Sequence, residues 1–394
     1  MNLIAFMKKF FHQENKYFFI TLFNQFWKFA IFIVLPFIVE FDKASFIFNL
    51  IAISLTIAGF STIGFKSKIQ FLFANNIGVN EKSFFISIIS RVIINNLFFI
   101  VIFFLFNFQF EIIKLNSLTN YFLLFIISSF ISININLKFL TPVIQNKNLI
   151  LGELMFSLWS NLLVIFLLIS FIIDSNKQSL IYLFIFFYIL ISLVSYLIIY
   201  KSLVSNKKTA KNDYKLDMKS VLIDLSGISL NWIPILISGY LLVPEDHTNF
   251  TSLYRVLLIF TVISSNRLII ISNAEVKNGI KKSTLFQNFK FLYLLTYFFI
   301  IFLIFNILDM SNTFKIINAI STTIVFISFL LSDTQMYMYR VSKNIKFSYL
   351  LEIIFILSLL LILPITITYF SYLSFLSAAL LISSRLLIIR YFYR

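Results

Sequence analysis

Cysteine is absent from this chain, and histidine occurs only as His12 and His247. Disulfides and thiolate metal sites are thereby excluded, and two imidazoles cannot build a His-based metal centre. Charge is also scarce. Only 12% of the residues are Asp, Glu, Lys or Arg, about half the usual share of a soluble domain. The chain has no phosphate-binding loop ending in Gly-Lys-Ser or Gly-Lys-Thr and no recognisable nucleophile–base arrangement, so no cofactor and no enzymatic centre are expected. Glycine and proline, at 7 and 5 residues, punctuate the sequence rarely.

Long apolar runs fill the space. The chain is 60% hydrophobic with a mean hydropathy of +0.96. Crossing a bilayer's hydrocarbon core takes roughly 20 apolar residues of helix. Candidate spans fall at about 17–39, 44–65, 84–106, 118–140, 149–173, 179–200, 220–243, 249–272, 285–308, 314–338, 348–370 and 372–390. The last two divide near Tyr369–Tyr372. Barrel strands alternate over about ten residues, and these runs are longer and uniformly apolar, which makes them helices. The expected fold is an all-α integral membrane protein of about twelve transmembrane helices.

Cations mark the sides of the membrane. With the gaps assigned alternately, one side holds 22 Lys and Arg residues, and the other holds Lys43, Lys114, Lys177 and Lys315. Cytoplasmic loops are rich in Lys and Arg, so the rich side is inside. An even number of spans then puts both termini in the cytoplasm, beside Lys8–Lys9 and Arg390–Arg394. No cleaved signal peptide is expected, because sixteen polar-leaning residues precede a first run that exceeds signal length. Outer gaps are short, the longest being Asn107–Ser117, which leaves no room for a large external domain. The net charge of +16 does not mark a nucleic-acid binder, because the cations are dispersed over short loops.

The longest polar stretch, Lys201–Lys219, carries six lysines and two aspartates. It divides the chain into residues 1–200 and 220–394, with six spans each. Phe73–Ser83 (FANNIGVNEKS) and Ser272–Ser283 (SNAEVKNGIKKS) follow the second span of each half. Such pairing hints at repeated halves, with a substrate site between them near mid-membrane.

Six cations remain once the loops are removed: Lys28, Arg91, Arg255, Arg267, Lys290 and Arg385. Arg91, Lys290 and Arg385 lie close to inner helix ends, where long side chains snorkel to the interface. Arg267 is similar but deeper. Lys28 lies near the bilayer centre, where a cation costs at least about 2.5–3.5 kcal/mol. Thr21, Asn24 and Gln25 precede it by seven, four and three residues, on the same helical face. Around Arg255, Thr251, Ser252 and Asn266 fall within about 60° on the helical wheel. Asp224, Gly227, Asn231 and Ser238 form a further stripe in the seventh span, which Pro234 should kink; Pro36 could do the same in the first. Buried Lys and Arg suit anions, above all a diphosphate, because a cation attracts phosphate more strongly at low dielectric. Asp224, Glu153 and Asp333 lie near inner helix ends, as candidate ion-coupling groups or as caps and loop-side partners.

Two six-span halves, a basic central loop and minimal external mass resemble the polysaccharide flippases of the multidrug/oligosaccharidyl-lipid/polysaccharide exporter superfamily. Locally, Ile237–Lys282, with Tyr254-Arg255, resembles the family's seventh and eighth helices, and Gly64–Ser83 resembles the connector between its second and third. The resemblance implies two pseudo-symmetric bundles around a central cationic cavity in the bacterial inner membrane. It implies movement of undecaprenyl-diphosphate-linked repeat units across that membrane for O-antigen or other surface polysaccharide. Lys28 and Arg255, and thirdly Arg267, would hold the diphosphate, with Asn24, Gln25 and Asn231 hydrogen-bonding phosphate or sugar. Implied partners are membrane lipids and the polymerase and chain-length proteins of the same pathway. Two alternatives stand beside it. A membrane oligosaccharide polymerase or ligase should carry a large outer loop, which is missing here. A cation-coupled exporter of small molecules should carry buried acids in its first half, where the first span carries Lys28.

Overall fold

The computed structural model describes residues 32–33, 35–36, 39–64, 81–110, 128–130, 132–133, 178–202, 218–260, 283–306, 311–341, 345–369 and 373–392. Among them the regular structure is helical, without a strand. The helices are α1 (Phe41–Ser61), α2 (Glu81–Phe110), α3 (Gln178–Ser202), α4 (Met218–Asn231), α5 (Ile233–Leu241), α6 (244–260), α7 (Ser283–Asn306), α8 (Asn312–Val341), α9 (Ile345–Tyr369) and α10 (Ser374–Phe392). Where apolar runs and described helices overlap, their ends agree within four residues, apart from α6, which starts five residues early and is described only to residue 260; the runs at 17–39, 118–140 and 149–173 lie largely or wholly outside the described residues. The division near Tyr369–Tyr372 is the break between α9 and α10.

Six segments among the described residues are long and apolar enough to cross a bilayer: Phe41–Ser61, Phe85–Leu105, Met218–Leu241, Asn312–Ser332, Tyr349–Tyr369 and Ser374–Phe392. The chain is thus an all-α, multi-pass membrane protein. Its surface chemistry agrees. Ile94, Leu97, Phe98 and Leu105 on α2, and Leu350 and Leu361 on α9, are more than half exposed, whereas Ser61, Asn96, Ser128 and Ser132 are fully buried. Apolar groups outside and small polar groups inside are what a lipid solvent selects, since hydrocarbon offers a polar side chain no partner.

Two compact units organise the chain: residues Met1–Ile31 with Asn49–Leu225, and residues Phe32–Phe48 with Ser226–Arg394. Both α1 and α4 contribute to each unit, dividing after Phe48 and after Leu225. In the first unit, the polar core is centred on Asn96 of α2. Its Oδ1 accepts from Ser61 Oγ at 3.0 Å and Ser128 Oγ at 3.1 Å, and its Nδ2 donates to Ser129 Oγ. Ser132 Oγ adds a bond to the Ala58 carbonyl at 3.2 Å. α1 ends at a turn in which Gly64 takes φ 82°, a left-handed value that glycine adopts without a Cβ penalty.

In the second unit, α10 lies along α8 and α9, while α7 packs on α8 and α5 on α9. Small residues of α10 (Ser374, Ala378, Ala379 and Ser383) are buried and allow the close approach. Ser383 Oγ donates to the Ile324 carbonyl of α8 at 3.4 Å.

Candidate anion site on α6

α6 begins at residue 244, five residues before the apolar run that marked it in the sequence. The cause is local chemistry. Pro244 fits the first turn, where its missing N–H is not needed, and Glu245 and Asp246 favour the positive end of the helix dipole. His247, assigned to an outer loop by hydropathy, therefore sits inside the helix and is fully buried. Its Nδ1 lies 2.8 Å from Ser45 Oγ of α1. No hydrogen bond closes on Nε2.

The seventh span is broken, as Pro234 implied. α4 stops at Asn231, Trp232 takes φ −126° and ψ −35°, and α5 starts at Ile233 with Pro234 in its first turn. Proline removes the N–H that would have reached the carbonyl four residues back, at Leu230. Tyr254 OH of α6 supplies the missing donor, at 2.6 Å from the Leu230 oxygen. The two elements are thus joined by the defect in one of them.

Arg255, next in sequence, is 4% exposed. Its guanidinium carbon lies 3.4 Å from the centroid of the Trp232 ring and 4.9 Å from that of Phe32. Desolvated cation–π contacts of this kind are worth about 2 kcal/mol or more. They fix the plane of the guanidinium. Among the described residues no carboxylate pairs with it. Nε and Nη2 are both buried without a hydrogen-bond partner. Those two nitrogens share one edge of the guanidinium, the fork that grips a carboxylate or phosphate through two parallel bonds. The free edge is therefore shaped for an oxyanion.

The neighbouring turns repeat the pattern. Thr251 Oγ1, one turn before Arg255, and His247 Nε2, two turns before, are also buried without partners. Each such group costs about 1–3 kcal/mol. The adjoining stripe of α6 differs: Ser252 Oγ donates to the Phe32 carbonyl at 2.6 Å, and Thr248 Oγ1 to the Phe41 carbonyl at 3.4 Å.

Of the other sequence-derived site residues, Asn231 is half-buried and donates Nδ2 to the Gly227 carbonyl at 2.6 Å, leaving its side-chain oxygen for a ligand. Lys28, Asn24, Gln25 and Arg267 lie outside the described residues, as do Asn266 and Glu153. Asp224 is half-buried on α4, and Arg91 is exposed on α2.

Arg385 corrects the sequence reading. It does not snorkel: its Nη2 lies 2.7 Å from Oε1 of Glu352, a fully buried acid of α9. Tyr339 OH of α8 donates to the same oxygen at 2.7 Å. The Arg385 guanidinium also lies 4.9 Å from the Phe355 ring centroid and 3.4 Å from Ser226 Oγ. The overlooked signal was depth. Glu352 stands four residues after the start of one apolar run and Arg385 five before the end of the next, so the charges of two antiparallel neighbours meet at one level.

No protein-family profile, curated protein or solved structure matches this chain.

Proposed function

We propose that this protein is a lipid-linked oligosaccharide flippase, with Arg255 holding the diphosphate of an undecaprenyl-linked repeat unit. The observation that carries the reading is the buried, ring-stacked guanidinium whose Nε–Nη2 fork has no partner. A purely structural arginine at this depth would be expected to be neutralised, as Arg385 is by Glu352. Arg255 is held in plane by Trp232 and Phe32 and left open on the edge that an oxyanion uses.

The reading extends to features of the sequence. Twelve spans form two pseudo-repeated six-helix halves, the basic side faces the cytoplasm with both termini, and the membrane is a bacterial inner membrane. Lys28 and Arg267 supply further cations, and Asn24, Gln25 and Asn231 supply hydrogen bonds to phosphate or sugar. The broken α4–α5 segment beside Arg255 suits alternating access, because discontinuous helices place binding groups at mid-membrane and give way there.

Deletion of the gene followed by analysis of polyprenyl-linked intermediates tests the proposal. Complete repeat units should accumulate on the inner leaflet, and Arg255→Gln should reproduce that accumulation at normal protein level. Single units reaching the surface unpolymerised would replace the flippase reading with a polymerase.

A further inference from the structure

The unmet polar atoms of α6 are arranged in order. His247, Thr251 and Arg255 are spaced by one helical turn each, and each has a buried nitrogen or oxygen without a partner. Side chains four apart on a helix stand about 5–6 Å from one another. That gap matches a water molecule hydrogen-bonded at about 2.8 Å to the group on each side. Unpartnered groups scattered over a core mark isolated defects, but a periodic row of them calls for a file of water. The contrast with Thr248 and Ser252 sharpens the point, since that stripe of the same helix closes its hydrogen bonds on the Phe41 and Phe32 carbonyls.

The row has a direction. From Arg255 to His247 it climbs eight residues, or about 12 Å, toward the helix end that the Lys/Arg distribution places outside. At its end, Ser45 holds His247 through Nδ1, and Nε2 is buried without a hydrogen-bond partner.

We propose that His247, Thr251 and Arg255 line a hydrated passage along α6 through which the Arg255 site communicates with the outer side of the membrane. Its occupants are water and small oxyanions, so the route by which a bound phosphate group meets external solvent is this stripe and not its neighbour. The inference rests on the reading of Arg255 as an oxyanion site and adds the side to which that site opens.

The native chain has no cysteine, so single cysteines report without background. Thr251→Cys, His247→Cys and Ser252→Cys are introduced separately into the full chain, with protein level and size-exclusion profile checked for each. Each variant is treated with a charged, membrane-impermeant methanethiosulfonate from the outer side and, in inverted vesicles, from the inner side. The Thr251→Cys and His247→Cys proteins should be modified at least tenfold faster from outside than from inside, and the Ser252→Cys protein slowly from both. Inorganic pyrophosphate should slow outer modification of Thr251→Cys at least fivefold, and adding Arg255→Gln should abolish that protection. Modification from the inner side alone overturns the passage. So does labelling of Ser252→Cys as fast as Thr251→Cys, or failure of Thr251→Cys to react from either side while the same protein labels fully once denatured. Outer modification that pyrophosphate leaves unchanged keeps the passage and removes the oxyanion reading.

Discussion

Replacing Tyr254 by Phe removes a single oxygen, and the structure states what that oxygen does. Pro234 leaves the Leu230 carbonyl without its helical donor, and the Tyr254 hydroxyl takes that place at 2.6 Å. Leu230 and Tyr254 are both buried, Tyr254 completely, so water cannot substitute. An unsatisfied buried carbonyl costs about 1–3 kcal/mol, while hydrogen bonds measured inside membrane proteins average about 0.6 and reach about 1.7 kcal/mol. Tyr254→Phe should therefore destabilise by about 1–1.5 kcal/mol, near the top of the range for membrane interiors. Pro234→Ala restores an N–H within reach of Leu230. In that background the second substitution should cost no more than about 0.3 kcal/mol, giving a coupling of roughly 1 kcal/mol. Equilibrium unfolding in detergent measures the cycle, with Trp232 beside the break as the fluorescent reporter. An equal cost of Tyr254→Phe with and without Pro234 would refute the link between hydroxyl and proline.

Other consequences are equally direct. Arg385→Met strands the buried Glu352 carboxylate and should destabilise by about 3–5 kcal/mol, whereas Arg385→Met with Glu352→Leu should recover most of the loss in the same unfolding assay. Asn96→Leu removes the centre of the Ser61–Ser128–Ser129 cluster and should lower stability by about 1–2 kcal/mol.

Hydropathy made the described helices legible because their apolar runs are long and end in polar residues. Pro234 was equally readable, since a missing N–H acts locally and needs no knowledge of neighbours. The start of α6 was misplaced because Pro244, Glu245 and Asp246 are polar to a hydropathy window yet favourable in a first helical turn. The site itself was half legible. Arg255 stood out as a cation too deep for topology, and Thr251 and Ser252 as its polar company. Which of those two hydroxyls is satisfied depends on the Phe32 carbonyl, over two hundred positions away, and no spacing rule encodes it. Trp232 escaped notice for the same reason: an aromatic in an apolar run looks like lipid-facing bulk until a guanidinium is found on its ring. Arg385 was misread because one helix says nothing of the acid on the next.

Arg255 as the diphosphate ligand is tested most directly by transport in proteoliposomes. A short-chain, fluorescent polyprenyl-diphosphate sugar is placed in one leaflet, and its appearance in the other is timed for the wild type, Arg255→Lys and Arg255→Gln at equal incorporation. The wild type should move the lipid well above empty liposomes, Arg255→Lys should retain part of the rate because it keeps the charge without the fork, and Arg255→Gln should fall to the empty-liposome level. Transport by Arg255→Gln at the wild-type rate, or a wild type no faster than empty liposomes, would contradict the assignment.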